Sequence, residues 1–468
     1  LMPERVGFHV AEGNLHQSLL NFSDAVRAYE EALRLDANAT GARASLDLSK
    51  ILAKARTGDR SRYLAGLSDL RRLMERQGRH TEAEALGEVM SGLREDVSDE
   101  VEMWRAAMVR AGASRAVASR LKHVGGRLSL DLTGVRFVGL EFLKGMPMRE
   151  LNLAGSGLSS LTGIEKLPLE KLTLTRCPIV DLRALDGMKL KELRLGGTKV
   201  GDVESLRGMP LRQLDLSGTA VADLSPLKGM PLEEVNLGGC SRVMDLSPVL
   251  SARLRRLYVG GVGRVDPSKL SGLRLEVLDA RGAGIRDLGF LKEMPLRELV
   301  LDGNPVADLK PLGALDLRTL SLARMGVSDL SPIQGLRLKT LNISHTRVAD
   351  LGPVSQMLLE ELEARSCPVS SVEPLRNQPL KRVDLTGCAL VRDVTPLADC
   401  LDLEYVALPF PGSNKLNLGP LRSLPHLMNI TLRFDLYGYS WSKVPPADSK
   451  GGLWAFYDAK WAPAFKRK

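Results

Sequence analysis

Residues Leu211–Pro231 read LRQLDLSGTAVADLSPLKGMP, and Leu232 begins a variant of the same phrase. Its leading leucine recurs at Leu169, Leu190, Leu211, Leu232, Leu254, Leu275, Leu296, Leu317, Leu338, Leu359 and Leu380. Looser copies start at Met148, Leu403 and Leu427, and a degenerate first copy starts at Arg127, where Leu130 and Leu132 keep the pattern. The fifteen copies are 21 residues apart almost throughout, 22 between Leu232 and Leu254, and 23 then 24 at the C-terminal end. A fixed period of this size predicts a solenoid. One unit cannot bury its own apolar face, so units stack, stability becomes a sum over neighbours, and both ends need covers.

Within the phrase, Leu214 and Leu216 alternate with Gln213, Asp215 and Ser217, the period of two expected of a strand. Gly218 and Thr219 break it. Val221, Leu224, Leu227 and Met230 then recur every three residues, which predicts tight 3₁₀-like turns. Ser225 before Pro226 reads as a hydroxyl cap followed by a proline whose missing N–H costs nothing there, and Pro231 pushes Met230 towards the extended conformation of the next strand.

Leucines at offsets 0, 3 and 5 of so short a unit resemble the leucine-rich repeat family, and the DLSPL segment is most similar to its internalin-type bacterial subclass. The resemblance implies an α/β solenoid over residues 126–436, curved, with a parallel concave sheet and a convex side of short 3₁₀ turns, used for binding rather than catalysis. It also accounts for four of the five cysteines. Cys177, Cys240, Cys367 and Cys388 stand eight residues after a leading leucine, where the family places an Asn or Cys ladder that bonds the turning backbone; Ser156, Thr198, Thr219, Asn304 and Thr346 fill that site in other copies. Unpaired ladder thiols favour a reducing, cytoplasmic compartment.

Residues 1–125 follow a different grammar. In DAVRAYEEALRL, Ala25, Ala28, Tyr29 and Ala32 share a helical face. With Gly13 and Phe22 they resemble one tetratricopeptide repeat, a helical-hairpin protein-binding module, although Ala37 stands at the usual proline position. SDEVEMWRAAMVRAG predicts a last helix, capped by Asp99 and Glu102, with Val101, Trp104 and Met108 facing inward over the first repeats. At the other end, residues 437–468 hold three of the four tryptophans and predict an aromatic cap. The order of helical repeat and then 21-residue repeats also resembles the C-terminal sensor regions of large bacterial, planctomycete-like Ser/Thr protein kinases. No glycine-rich loop, HRD or DFG motif occurs here, so such a kinase domain would precede Leu1, and the segment would be extracytoplasmic if the kinase is membrane-tethered.

Composition excludes other classes. Residues 1–125 carry 19 basic and 18 acidic side chains, so most of the formal charge of +9 lies in the repeats and tail, without the concentrated stripe of a nucleic-acid binder. Arg105, Arg110, Arg115 and Arg120 are five apart and would scatter around a helix. No apolar run approaches the roughly 20 residues of a membrane helix, so no membrane contact through this segment is expected. A glycan-binding sheet would show several exposed aromatics, and 4% aromatic content does not supply them. No CxxC pair, HExxH spacing or phosphate loop occurs; Gly260 and Gly261 in GGVGRV end a strand, and Cys400, although followed by Leu401 and Asp402, lies inside a repeat. The expectation is a non-enzymatic chain without cofactor or metal.

Function is then left to the side chains at the second, fourth and sixth positions after each leading leucine, on the expected concave face. Most are polar, Asp215 and Asn236 among them. The exception is central, where Arg256, Tyr258, Val277, Asp279 and Arg281 combine an aromatic, two arginines and an apolar residue, the types that dominate interfaces. Charges directly after the leading leucines mostly alternate in sign, and the longest like-charged run is Arg297, Arg318 and Lys339, a candidate basic edge for an acidic partner. The expectation is a protein-binding scaffold, or the ligand-sensing arm of a kinase.

Overall fold

The computed structural model describes residues 3–55, 60–136, 139–251, 253–263, 265–409, 416–434 and 437–442. The chain forms two compact units, Leu1–Pro178 with Met188–Leu190, and Ile179–Gly187 with Lys191–Lys468. The first unit holds both the helices and the earliest repeats, whereas the change of sequence grammar falls near residue 125.

In the first unit, α1 (Pro3–Ser18) and α2 (Phe22–Leu35) form a hairpin, followed by α3 (Ala42–Ala55), α4 (Arg60–Arg76), α5 (His80–Arg110) and α6 (Arg115–Ala118). Gly13 lets α1 approach α2 closely: a Cβ there would lie 2.6 Å from the ring of the fully buried Tyr29. The Tyr29 hydroxyl donates to Asn14 Oδ1 at 2.7 Å, and buried Gln17 donates from Nε2 to Ser49 Oγ at 3.0 Å, tying α1 to α3. Helix α5 corrects two expectations. It runs unbroken through Ser98 and Asp99, so no helix starts there; the segment contains no proline to stop the one already under way. It ends at Arg110, so Arg115 and Arg120 lie off it, and Arg105 donates from Nη2 to the Leu121 carbonyl at 2.8 Å. Val101 and Met108 are buried as the periodicity predicts, and α5 packs against β1 (Leu121–Val124) and the turn Glu141–Leu143. Strand β1 is antiparallel to β2 (Arg127–Asp131), which continues in parallel into β3 (Met148–Asn152) and β4 (Lys171–Thr173).

The second unit continues with β5 (Glu192–Arg194), β6 (Gln213–Asp215), β7 (Glu234–Asn236), β8 (Arg256–Tyr258), β9 (Val277–Asp279), β10 (Glu298–Val300), β11 (Thr319–Ser321), β12 (Thr340–Asn342), β13 (Glu361–Glu363), β14 (Arg382–Asp384), β15 (Tyr405–Pro409) and β16 (Asn429–Phe434), all parallel to their neighbours, and closes with the antiparallel β17 (Tyr437–Ser442). Each of the fifteen copies thus supplies one strand, β2 through β16. The rest of the expected aromatic cap, from residue 443 onward, lies outside the described residues.

One copy shows why. Leu211, Leu214, Leu216, Val221, Leu224, Leu227 and Met230 are all buried, and the backbone between them bonds to the next coil, with Leu216 N–H donating to Asn236 O at 2.8 Å. The turn Ser225–Leu227 is 3₁₀ as expected, but Ser225 is not its cap. The preceding Asp223 is: its Oδ1 accepts the Ser225 N–H and its Oδ2 the Ser225 hydroxyl, both at 2.8 Å, and these bonds hold its carboxyl below the usual range. A carboxylate accepts without having to donate, which makes it the better partner for an orphan N–H. Asp202, Asp245, Asp266, Asp287, Asp308, Asp329, Asp350 and Asp393 repeat the device.

The ladder inside the coil forms as well. Cys177, Cys240, Cys367 and Cys388 are buried and free, and each donates its S–H to a carbonyl of the preceding coil at 2.9–3.0 Å. Asn304 does more, donating from Nδ2 to Ala280 O and Leu301 O at 2.8 and 2.7 Å and accepting the Ile285 N–H at 2.9 Å.

Candidate functional site on the open sheet face

The fourth-position column is largely consumed by the fold. Asp215 Oδ1 accepts the Ser217 N–H at 2.9 Å, Asn236 Oδ1 the Gly238 N–H at 2.9 Å, and Asp279 Oδ1 the Arg281 N–H at 3.2 Å. Asn342 and Asp384 do the same for Ser344 and Thr386. These side chains turn the backbone out of each strand, so Asp215 and Asn236 are in the first instance strand-end caps. Their fixed position two residues before a turn is the signal that shows it.

The central cluster is brought together. In the β8–β9 register Arg256 lies opposite Val277 and Tyr258 opposite Asp279. Arg256 pairs loosely with Glu234, Nη1 to Oε2 at 3.4 Å. Arg281 folds back onto Asp279, with Nε 3.0 Å from both carboxylate oxygens and Nη2 2.7 Å from Oδ2. Gly260 permits this, since a Cβ there would meet Arg281 Cγ at 2.4 Å. Tyr258 is half-buried, and its hydroxyl has no hydrogen-bond partner among the described residues. Burial, and secondarily the Glu234 carboxylate, push its pKa up. The result is a flat patch in which Tyr258 and Val277 offer apolar surface and Arg256 a weakly engaged guanidinium.

The basic edge does not present three free charges. Arg297 is paired with Asp316, and Lys339 with Glu360 at 2.6 Å; only Arg318 lacks an ion pair among the described residues. Glu360 is shared with Lys381 at 2.9 Å, and the Lys339 and Lys381 ammonium groups hold its pKa at about 2. Neighbouring charges therefore pair across strands, as Arg212 and Glu233 also do at 2.9 Å.

Two features escaped the sequence reading. The Arg382 guanidinium stacks over the Tyr405 ring, 4.7 Å from its centroid, where β14 meets β15. Beyond the strand ends of β8 to β13 runs an open groove of about 590 Å³ lined by Arg281, Asp302, Arg324, Asn342, His345 and Arg365, among others. Arg365 is held by Asp384 at 2.6 Å. Arg324 and His345 occupy positions that the repeat frame assigns to a strand-breaking glycine, so they carry no periodic signal.

Among the described residues no group of three or more His, Cys, Asp or Glu could hold a metal ion, and no helix is long and apolar enough to cross a membrane. Cys400 donates to Leu375 O at 3.1 Å, and burial pushes its thiol up to about 11, the opposite of an activated nucleophile.

No protein-family model and no curated protein matches the chain. Solved structures do. An internalin (inlF) from Listeria monocytogenes matches with a TM-score of 0.51 at 22% identity, over 66% of this chain and 95% of that one. The functional domain of InlJ from the same organism gives 0.38 at 18% identity over 60% and 68% of the two chains. A leucine-rich repeat protein from Bacteroides thetaiotaomicron gives 0.37 at 14% over 56% and 42%. The repeat frame, the strand in every coil and the match to the first of these structures agree: the fold is a leucine-rich repeat solenoid preceded by an α-helical region.

Proposed function

We propose that this chain is a non-catalytic scaffold that binds a protein partner on the open sheet face, centred on Arg256, Tyr258 and Val277. The observation that carries the reading is Tyr258 itself, an aromatic ring half-buried in the middle of a largely polar sheet, with an unpartnered hydroxyl and an arginine and a valine on adjoining positions. Tyrosine and arginine in such a setting are the usual anchors of an interface. Asp279 and Arg281 serve as its rim, and Asp215 and Asn236 contribute only the polar edge left over from capping. Residues 1–125 act as a tetratricopeptide-like helical module, residues 126–436 as the binding solenoid, and 437–468 as its cap.

Affinity capture with the full chain tests this. Tyr258→Ala and Arg256→Ala should each lose a partner that the wild type retains, and equal recovery would move the interface elsewhere. The order of helical module and solenoid also suits a sensor arm following a kinase domain, and the reading frame upstream of Leu1 decides that: a stop codon there ends it.

A further inference from the structure

The open face of the sheet carries a charge opposite to that of the chain. Along strands β5 to β15 the first and third residues face outward, and they include eight carboxylates against three guanidiniums, on a chain of net charge +9. Adding the charged strand-end residues Arg281, Asp302, Arg324 and Arg365 still leaves three more carboxylates than guanidiniums. The basic column directly after the leading leucines turns off this face. Arg255 and Arg297 donate from Nη1 to the carbonyls of Arg274 and Asp316, each the residue before the next leading leucine, at 3.2 Å. Arg318, in the same column, pairs with no carboxylate among the described residues, Glu298 included.

The excess of carboxylates falls on the apolar patch. Val300 of β10 extends the surface of Tyr258 and Val277 by one strand, and it stands between Glu298 and Asp302 along the chain. Glu298 lies opposite Val277, is exposed, and its carboxylate has no hydrogen bond or ion pair among the described residues. Asp302 accepts the Ala323 N–H at 3.0 Å and the Ser321 hydroxyl, with no cation in ion-pair reach among the described residues. The guanidiniums nearby are engaged, Arg256 by Glu234 at 3.4 Å and Arg281 by Asp279 at 2.7 Å. The Tyr258 hydroxyl registers the balance: after burial, the Glu234, Glu298 and Asp279 carboxylates push its pKa up, and Arg256 alone opposes them. Resting on the interaction reading above, we propose that the partner presents a basic segment to this patch, the stem of one lysine or arginine lying across Val277 and Val300 and its cationic head on Glu298. A long cationic side chain suits both halves of the surface, because its methylenes cover apolar area while its head stays at the edge. An acidic segment or a nucleic acid would set like charge against Glu298 and Asp302.

A random dodecapeptide display library is panned on the full chain, and the enriched peptides are titrated by fluorescence anisotropy against wild type, Glu298→Gln, Asp186→Asn and Tyr258→Ala. Glu298→Gln keeps the shape of an exposed side chain and breaks no contact of the fold, and Asp186→Asn removes the same charge from an exposed turn off the sheet. The proposal expects peptides of net positive charge whose affinity falls about fivefold or more in Glu298→Gln and holds within about twofold in Asp186→Asn. One of their basic residues, replaced by norleucine, should cost a similar factor in wild type and little further in Glu298→Gln. Acidic or neutral peptides, no enrichment, unchanged affinity in Glu298→Gln, or an equal loss in Asp186→Asn each overturns it. Peptides lost by Tyr258→Ala but kept by Glu298→Gln overturn the basic partner and leave the broader reading standing; peptides indifferent to both defeat both.

Discussion

Asn304→Ala is the sharpest test of what holds the coils together. The side chain is 2% exposed and serves three backbone groups. Two of them have a second donor: Leu301 O also accepts the Asn304 N–H, and Ala280 O the Ala283 N–H, so each loses one bond of two, about 0.5–1 kcal/mol. The Ile285 N–H has Asn304 Oδ1 as its partner, and orphaning a buried amide costs about 1–3 kcal/mol. The total is about 3 kcal/mol. In native-state hydrogen exchange that should deprotect Ile285 and its neighbours roughly 100-fold, before any global change, because the coils are coupled chiefly to their neighbours. Asn304→Cys should recover about 1 kcal/mol, since a thiol can donate to Ala280 O as Cys240 does to Leu216 O, yet cannot accept from Ile285 as well. A loss below about 0.5 kcal/mol in the alanine variant, or no recovery with cysteine, would refute the ladder as a source of stability.

Gly13→Ala should lower the melting temperature of the helical unit by overpacking Tyr29, at a cost of about 1–3 kcal/mol, read by circular dichroism. The five buried thiols should be inert to a chromogenic disulfide at pH 8 in the native protein and react in full once it is denatured, since burial pushes Cys388 up to about 12 and Cys400 to about 11. Glu360, with a folded pKa of about 2 against an ordinary 4.5, supports the fold fully above pH 4.5 and loses that support as pH falls towards 2. Glu360→Gln should therefore flatten the acid limb of the stability curve in that window and leave its shape above pH 5 unchanged.

The coil was legible because its period is written fifteen times, and a leucine at offsets 0, 3 and 5 has one place to go. The ladder cysteines were legible for the same reason. The two aspartate roles were not. Asp215 and Asp223 are as polar as any surface residue, and although each stands at a fixed place two residues before a turn, polarity alone does not separate a solvated carboxylate from one whose oxygen accepts an N–H two residues on. The expected helix start at Asp99 failed because a capping motif signals only where the helix has not already begun. The basic edge is partly neutralised by partners distant in sequence: Asp316 and Glu360 lie 19 and 21 residues along the chain from Arg297 and Lys339. The groove at Arg324 and His345 stayed hidden because the departure from glycine matters only once φ is seen to be positive.

The central claim is that the partner sits on the open sheet face at Tyr258. The most direct measurement places a photo-cross-linking benzoylphenylalanine at position 258 or, for comparison, at the exposed 3₁₀-turn residue Lys310, and irradiates the chain with the partner bound. The account predicts a covalent adduct from position 258 and none from position 310. An adduct from position 310 with none from position 258 would contradict it.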